Sequence, residues 1–303
     1  FQVDDTTLYR AMITAAEHGM LIMVHAENGD VIAERRAKLL AEGKTAPHYH
    51  AVAQPALVEA EATNRAVTLA GIAQAPLYVV HMTCEEAIEP LALGRAKGFP
   101  VMGETCTQYL LLDDSVYDKP DFEAAAYVMS PPIRPEGHQE VLWNALRAGA
   151  LQVVATDHCP FDLRGQKDMG ADDFRKIPGG AAGIEDRMSL LYTHGVQSGR
   201  LDLHQFVDLT STRAARIFGL FPRKGSITVG ADADLVVWDP EATATISAKT
   251  HRHRCDRSIF EGFEVKGLPS HVVVNGRVQY ADGDLKVERG AGRFLKRRLR
   301  WSS

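Results

Sequence analysis

Cysteine is scarce in this sequence and widely scattered. The 303 residues include four cysteines, Cys84, Cys106, Cys159 and Cys255, and no two form a C-x-x-C pair. That spacing offers neither a zinc-finger framework nor a redox dithiol, and free thiols in a reducing compartment are expected. No apolar run reaches the roughly 18 residues of a membrane span. No signal-peptide pattern is present, so the expectation is a cytoplasmic protein with no membrane partner. Positive charge is not in excess either: 34 Lys and Arg against 39 Asp and Glu give a formal charge of −5, which offers nucleic acid no attraction. Internal repeats and low-complexity segments are absent. An initiating Met is also missing. The chain opens on Phe1 and enters helix-like sequence within a few residues, as expected of a processed product or of part of a longer protein.

What is present is ordinary globular composition, 45% apolar and 24% charged, enough for a substantial core. The first two-thirds alternates short apolar runs with helical patterns. Leu21–Val24 ends at His25, and Leu77–Val80 ends at His81. Pro100–Met102 leads to Gly103 and Glu104, and Leu151–Ala155 leads to Thr156 and Asp157. Each run is short, apolar and non-alternating, as in a parallel strand buried on both faces. Helices are expected at Ala56–Ala73, Glu85–Lys97 and Glu136–Ala148, with Gly98 and Gly149 as C-caps. This alternation predicts βαβ units and a parallel sheet.

After about Leu220 the pattern changes. Lys224–Asp239 reads as short strands broken by Gly225 and Gly230, and Asn275-Gly276 between apolar runs is a strong hairpin signal. A small β unit is expected after a helix at Ser211–Phe218. The tail Arg293–Trp301 is strongly basic and is expected to be solvated or to contact another subunit.

The chemistry-bearing residues fall just beyond strand ends, the edge where parallel α/β folds build their sites. His25, His81 and Asp157 are ligands that suit zinc, iron or manganese, and two His with one carboxylate also suit a non-haem iron centre. Asp157 could alternatively cap the turn that follows it, or shuttle a proton from a metal-bound water. His158 reads as lining, and Cys159 as a small buried side chain with no assignable activator. The loops Met129-Ser130-Pro131-Pro132 and Ile177-Pro178-Gly179-Gly180 have few side chains and present backbone N–H and C=O groups. These would suit a ring amide, unless they are simple turns.

These strings together resemble the dihydropyrimidinase/D-hydantoinase family of the amidohydrolase superfamily. The resemblance runs through HAENGD (His25–Asp30), PALVEAEATNRA (Pro55–Ala66), HMTC (His81–Cys84), GETCTQYL (Gly103–Leu110) and MSPPIR (Met129–Arg134). It continues through ATDHCPF (Ala155–Phe161), GIEDRM (Gly183–Met188), the long stretch Leu209–Pro240 and VERGAGRF (Val287–Phe294). It implies the C-terminal half of a (β/α)8 TIM-type barrel over 1–218, part of a small β-sandwich over 219–286 and a basic tail over 287–303. It also implies two divalent metal ions, zinc by family habit, bridged by a carboxylated lysine. His25 and His81 would serve one ion, and Asp157 would serve the other while shuttling protons. Ser130, and Gly179 at the family's Asn position, would hold the ring through backbone groups. The implied activity is opening of 5,6-dihydropyrimidines or hydantoins to N-carbamoyl amino acids, as in pyrimidine catabolism, by a homotetramer.

Some family features are not in this sequence. The HxH pair, the bridging lysine and a loop tyrosine belong upstream of Phe1, and Thr107 stands where Pro is usual. Four strands rather than eight are countable. The chain is therefore expected to be the C-terminal portion of a longer enzyme and inactive alone. The alternatives are a non-catalytic dihydropyrimidinase-related scaffold, or a sister hydrolase such as allantoinase or dihydroorotase.

Overall fold

The computed structural model describes residues 2–297; the end of the basic tail, 298–303, lies outside the described residues. The chain divides into two compact units. One comprises 2–185 with 247–261, the other 186–246 with 262–297.

The first unit is built on four parallel strands in the order β1-β2-β3-β4: β1 Ile22–Val24, β2 Leu77–Val79, β3 Val101–Cys106 and β4 Val153–Ala155. Ile22 pairs with Leu77, Leu77 with Val101, and Glu104 with Val153. The expected strands are all present, and β3 is longer than its apolar run. Glu104, inside β3, accepts a hydrogen bond from the Tyr78 hydroxyl at 2.7 Å, so the polar residue continues the strand. Burial is uneven across the sheet. Every residue of β2 is buried, whereas Met23 on edge strand β1 is half exposed. An edge strand lacks a second neighbour to cover it.

Seven helices join and cover these strands: α1 Asp5–His18, α2 Gly29–Ala41, α3 His48–Ala53, α4 Ala56–Ala73, α5 Glu85–Ala96, α6 Thr107–Leu111 and α7 His138–Arg147. Their ends follow local chemistry. Asp4 accepts the Thr7 N–H at 2.8 Å as the N-cap of α1, and Asn28 caps α2, each satisfying an orphan donor. Gly98 and Gly149 follow α5 and α7 with φ of 84° and 73°, as expected of left-handed C-cap residues. α4 runs over Ala56–Ala73 as its periodicity predicts, and its inner face (Val58, Ala62, Ala66, Val67, Ala70) is buried. Thr107 occupies the first position of α6, where Pro is favoured because that N–H has no intrahelical partner.

In the second unit the helix expected at Ser211–Phe218 begins earlier. α8 Arg187–Leu191 precedes α9 Leu203–Val207, and α9 continues through a wide π turn at Asp208–Thr212 into α10 Arg213–Ile217. The start is set by a capping box between Asp202 and Gln205, a sequence-local signal. Of the strands expected over Lys224–Asp239, only the last part, from Leu235, is there. Residues 224–234 turn, with Lys224 paired to Asp232 at 3.0 Å and also to Asp234. The antiparallel sheet begins with β5 Leu235–Thr245 and continues through β6 Glu264–Val274, β7 Arg277–Ala281 and β8 Asp284–Leu285. The Asn275-Gly276 hairpin is present: both residues have positive φ, 51° and 75°, the type I′ geometry that suits strand twist. Tyr192, Phe206 and Trp238 form an aromatic cluster with centroids 5.3–6.1 Å apart. Gly267 must be glycine, because its φ is 90° and a Cβ would meet Tyr192 at 2.3 Å. Among the described residues no helix is long and apolar enough to cross a membrane.

Candidate functional site

The parallel sheet delivers its polar residues to one edge. His25 follows β1, His81 lies two residues beyond β2, and Asp157 lies two residues beyond β4. His81 and Asp157 both have positive φ, 42° and 45°. This conformation is strained for residues with a Cβ and persists only where the surroundings enforce it.

The two histidines meet. His25 Nδ1 and His81 Nε2 are 2.9 Å apart, and the rings sit edge to face. Each ring also has a second nitrogen. His25 Nε2 is 3.0 Å from Glu27 Oε2, and His81 Nδ1 is buried with no hydrogen-bond partner. Burial lowers His25, but the hydrogen bond and charge of Glu27 outweigh it and the net shift is upward. Burial, reinforced by the charge of His25, brings His81 down to about 4. His81 is therefore neutral at physiological pH, the state a metal ligand requires. The donors fit a borderline cation. In a tetrahedral centre with bonds of roughly 2.0–2.1 Å, two ligating nitrogens stand about 3.3 Å apart, close to the separation seen here. Glu27 behind His25 completes the carboxylate–histidine arrangement that fixes an imidazole ligand.

Asp157 is near but separate. It does not join His25 and His81 in a single set whose ligand atoms lie within 4.8 Å of one another. Its carboxyl is raised by burial, with His25 opposing that shift. His158 is turned toward the segment before α8, where its Nδ1 accepts the N–H groups of Gly183 and Ile184 at 3.1 and 3.3 Å. Cys159 is exposed.

Ser130 and Gly179 come from two loops that lie against each other. A Cβ on Gly179 would meet nothing closer than Met129 Cα at 4.0 Å, and the Gly180 N–H donates to Val128 O at 3.0 Å. The Ser130 loop is fixed from several sides. The Tyr109 hydroxyl donates to Pro131 O at 2.7 Å, and the Ile133 N–H donates to the Tyr117 hydroxyl at 3.0 Å. His50, held near 4 by burial and so neutral, donates from Nε2 to Met129 O at 2.8 Å. Gln54 links this loop to the histidines, because its Nε2 donates to Glu27 Oε1 at 2.9 Å and to Ser130 Oγ at 3.2 Å.

Sequence reasoning missed the groups beneath this edge. Glu59, Thr83 and Arg134 form a buried network. Arg134 Nη2 pairs with Glu59 Oε2 at 2.8 Å, Arg134 Nε donates to Thr83 Oγ1 at 2.8 Å, and the Thr83 N–H donates to Glu59 Oε1 at 2.8 Å. Thr83 also donates its hydroxyl to Glu59, and Arg134 Nη1 donates to Gln54 O at 2.5 Å. These side chains tie the His81 loop to the Ser130 loop. Glu59, Thr83 and Arg134 all stood within the strings quoted above, but no spacing rule brings residues 51 and 75 positions apart together. Lys167, whose amine donates to Val128 O and Pro178 O, was also missed.

Comparison with known proteins agrees with this architecture. The amidohydrolase family profile matches residues 1–279. The chain is 52% identical over 297 residues to a D-hydantoinase of Geobacillus stearothermophilus, covering 98% of this chain and 63% of that one. It is 45% identical over 299 residues to a dihydropyrimidinase of Rattus norvegicus, covering 98% of this chain and 57% of the relative. Among solved structures, a D-hydantoinase crystal structure superposes with a TM-score of 0.98 at 52% identity, over 99% of this chain and 65% of that one. The dihydropyrimidinase of Brevibacillus agri NCHU1002 does so with a TM-score of 0.98 at 48% identity, over 100% and 66%. The chain thus spans less than two-thirds of the length of these relatives. Its parallel sheet is the second half of a (β/α)8 TIM-type barrel, and its antiparallel sheet is part of the small β-sandwich. The chain belongs to the metal-dependent amidohydrolase family, within its D-hydantoinase and dihydropyrimidinase group.

Proposed function

We propose that the whole protein hydrolyses cyclic ureides, hydantoins or 5,6-dihydropyrimidines, to N-carbamoyl amino acids. The observation that carries this reading is the convergence of His25 Nδ1 and His81 Nε2 at 2.9 Å, on the strand edge that also bears Asp157. His25 and His81 would hold one divalent ion, with zinc the expected metal, and Asp157 would serve a second. When bound, such ions supply Lewis acidity and a water of lowered pKa.

This chain's own residues supply the rest. Glu27 orients the His25 ring. Asp157, raised by burial, accepts a proton as the nucleophile forms and returns it to the leaving ring nitrogen. Backbone groups at Ser130 and Gly179 hold the ring so that one carbonyl faces the metal side, and the Gln54 contacts keep that loop in register with the histidines. In this reading 1–218 belongs to the barrel, 219–286 to the sandwich and 287–303 to a basic tail. The assembly is a homotetramer in the cytoplasm.

Ring opening of hydantoin and 5,6-dihydrouracil by the natural gene product, supplied with zinc, tests the proposal. Release of the N-carbamoyl product, abolished by Asp157→Asn, is expected. A zinc-loaded, folded protein that opens neither ring would overturn it.

A further inference from the structure

Lys167 is a lysine buried to 2% exposure whose amine meets no carboxylate among its hydrogen bonds. Nζ donates to Val128 O at 2.9 Å and to Pro178 O at 3.1 Å. Burying an amine without an acidic partner is costly, and lysines are rarely found so enclosed. The two acceptors explain the placement. Val128 lies two residues before Ser130, and Pro178 lies immediately before Gly179. The same Val128 oxygen also receives the Gly180 N–H at 3.0 Å. Three main-chain points, one on the Ser130 loop and two on the Gly179 loop, are therefore joined through one side chain and one shared carbonyl. The loops also lie close at Gly179, where an added Cβ would come within 4.0 Å of Met129 Cα.

The chemistry of the amine matches this task. Burial brings it down to about 7, so a neutral amine is populated near neutral pH. A neutral amine has two N–H groups, one for each carbonyl. An arginine fork would need more acceptors than the two that are offered here.

We infer that Lys167 is a positioning residue that sets the spacing between the Ser130 and Gly179 loops, and through that spacing the ring size the site accepts. The inference deepens the proposed function and rests on its reading that both loops hold the ring. Five- and six-membered ureides differ by one ring methylene, so a small change in loop separation favours one over the other.

The test is Lys167→Met in the natural gene product loaded with zinc, with hydantoin and 5,6-dihydrouracil as substrates. The expected result is a shift of about fivefold or more in the ratio of the two kcat/KM values, carried mainly by KM, with zinc content unchanged. A loss of activity by the same factor on both rings, leaving the ratio within twofold, would show a merely structural role and overturn the inference. If Lys167→Met does not fold, Lys167→Gln, which keeps two N–H donors on a shorter arm, takes its place with the same two outcomes. Amide hydrogen exchange at Gly180 gives a readout independent of catalysis. Acceleration of about tenfold or more in the variant is expected, and unchanged exchange refutes the tie. If the wild type opens neither ring, the proposed function fails along with the ring-size clause, and Gly180 exchange then judges the loop tie by itself.

Discussion

His25 Nδ1 and His81 Nε2 stand 2.9 Å apart although 56 residues separate them in the chain. Parallel pairing of β1 with β2 brings their strand ends level, with Val24 opposite Val79. The left-handed backbone at His81 then returns its ring toward His25. Zinc titrated into the chain should therefore bind, and His81→Ala should weaken that binding by more than the roughly 10–100-fold typical of losing an outer hydrogen bond. Calorimetry reads this directly, and equal affinity in the variant would remove His81 from the site.

Glu27 acts behind His25. Glu27→Gln keeps the shape but removes the charge that lifts the His25 imidazole. The expected result is a lower His25 pKa by NMR titration and zinc affinity reduced by about 10–100-fold, with the fold intact.

The Glu59–Arg134 pair is buried on both sides, with side chains 3% and 4% exposed. Removing one partner leaves a charge without compensation. Arg134→Met should cost about 3–5 kcal/mol in urea unfolding. Combining it with Glu59→Gln should cost less than the sum of the two single changes.

Gly179→Asn is expected to fold unchanged, within about 0.5 kcal/mol. Gly179 is not among the residues of positive φ, and a Cβ there meets only Met129 Cα at 4.0 Å. A large loss of stability would show that the two loops approach more closely than this.

Lys167 gives stability a pH dependence with a definite sign. Its folded pKa of about 7 lies below the ordinary 10.5, so between these values the unfolded chain holds more protons and stability rises with pH. Below pH 7 both states are protonated and the slope from this group vanishes. Between pH 7 and 10 the gain is of the order of 3–4 kcal/mol. Lys167→Met should abolish that rise when denaturant unfolding of the two proteins is compared across the same range.

Much of the fold was legible in the sequence because its signals are local. Buried parallel strands read as short apolar runs, α4 as an uninterrupted helical period, and the β6–β7 hairpin as Asn275-Gly276. Where the reading slipped, the cause was also physical. Residues 226–234 alternate apolar residues with polar ones or glycine as strands do, but the pairing of Lys224 with Asp232 and Asp234 closes them into turns.

For the site, the sequence by itself determined which residue types stand at the strand ends: His25, His81 and Asp157, with the bare loops at Ser130 and Gly179. A strand end is a local event, and a polar residue there is visible without knowing its neighbours. Only the tertiary structure decided which of them touch. It set His25 against His81, kept Asp157 apart from them, and placed Glu59, Arg134 and Lys167 beneath the loops. A buried charge reads in sequence like any surface charge, and only packing removes the water that would otherwise satisfy it. The partners that replace that water come from distant segments, and their identity is fixed by the sheet order rather than by any spacing along the chain.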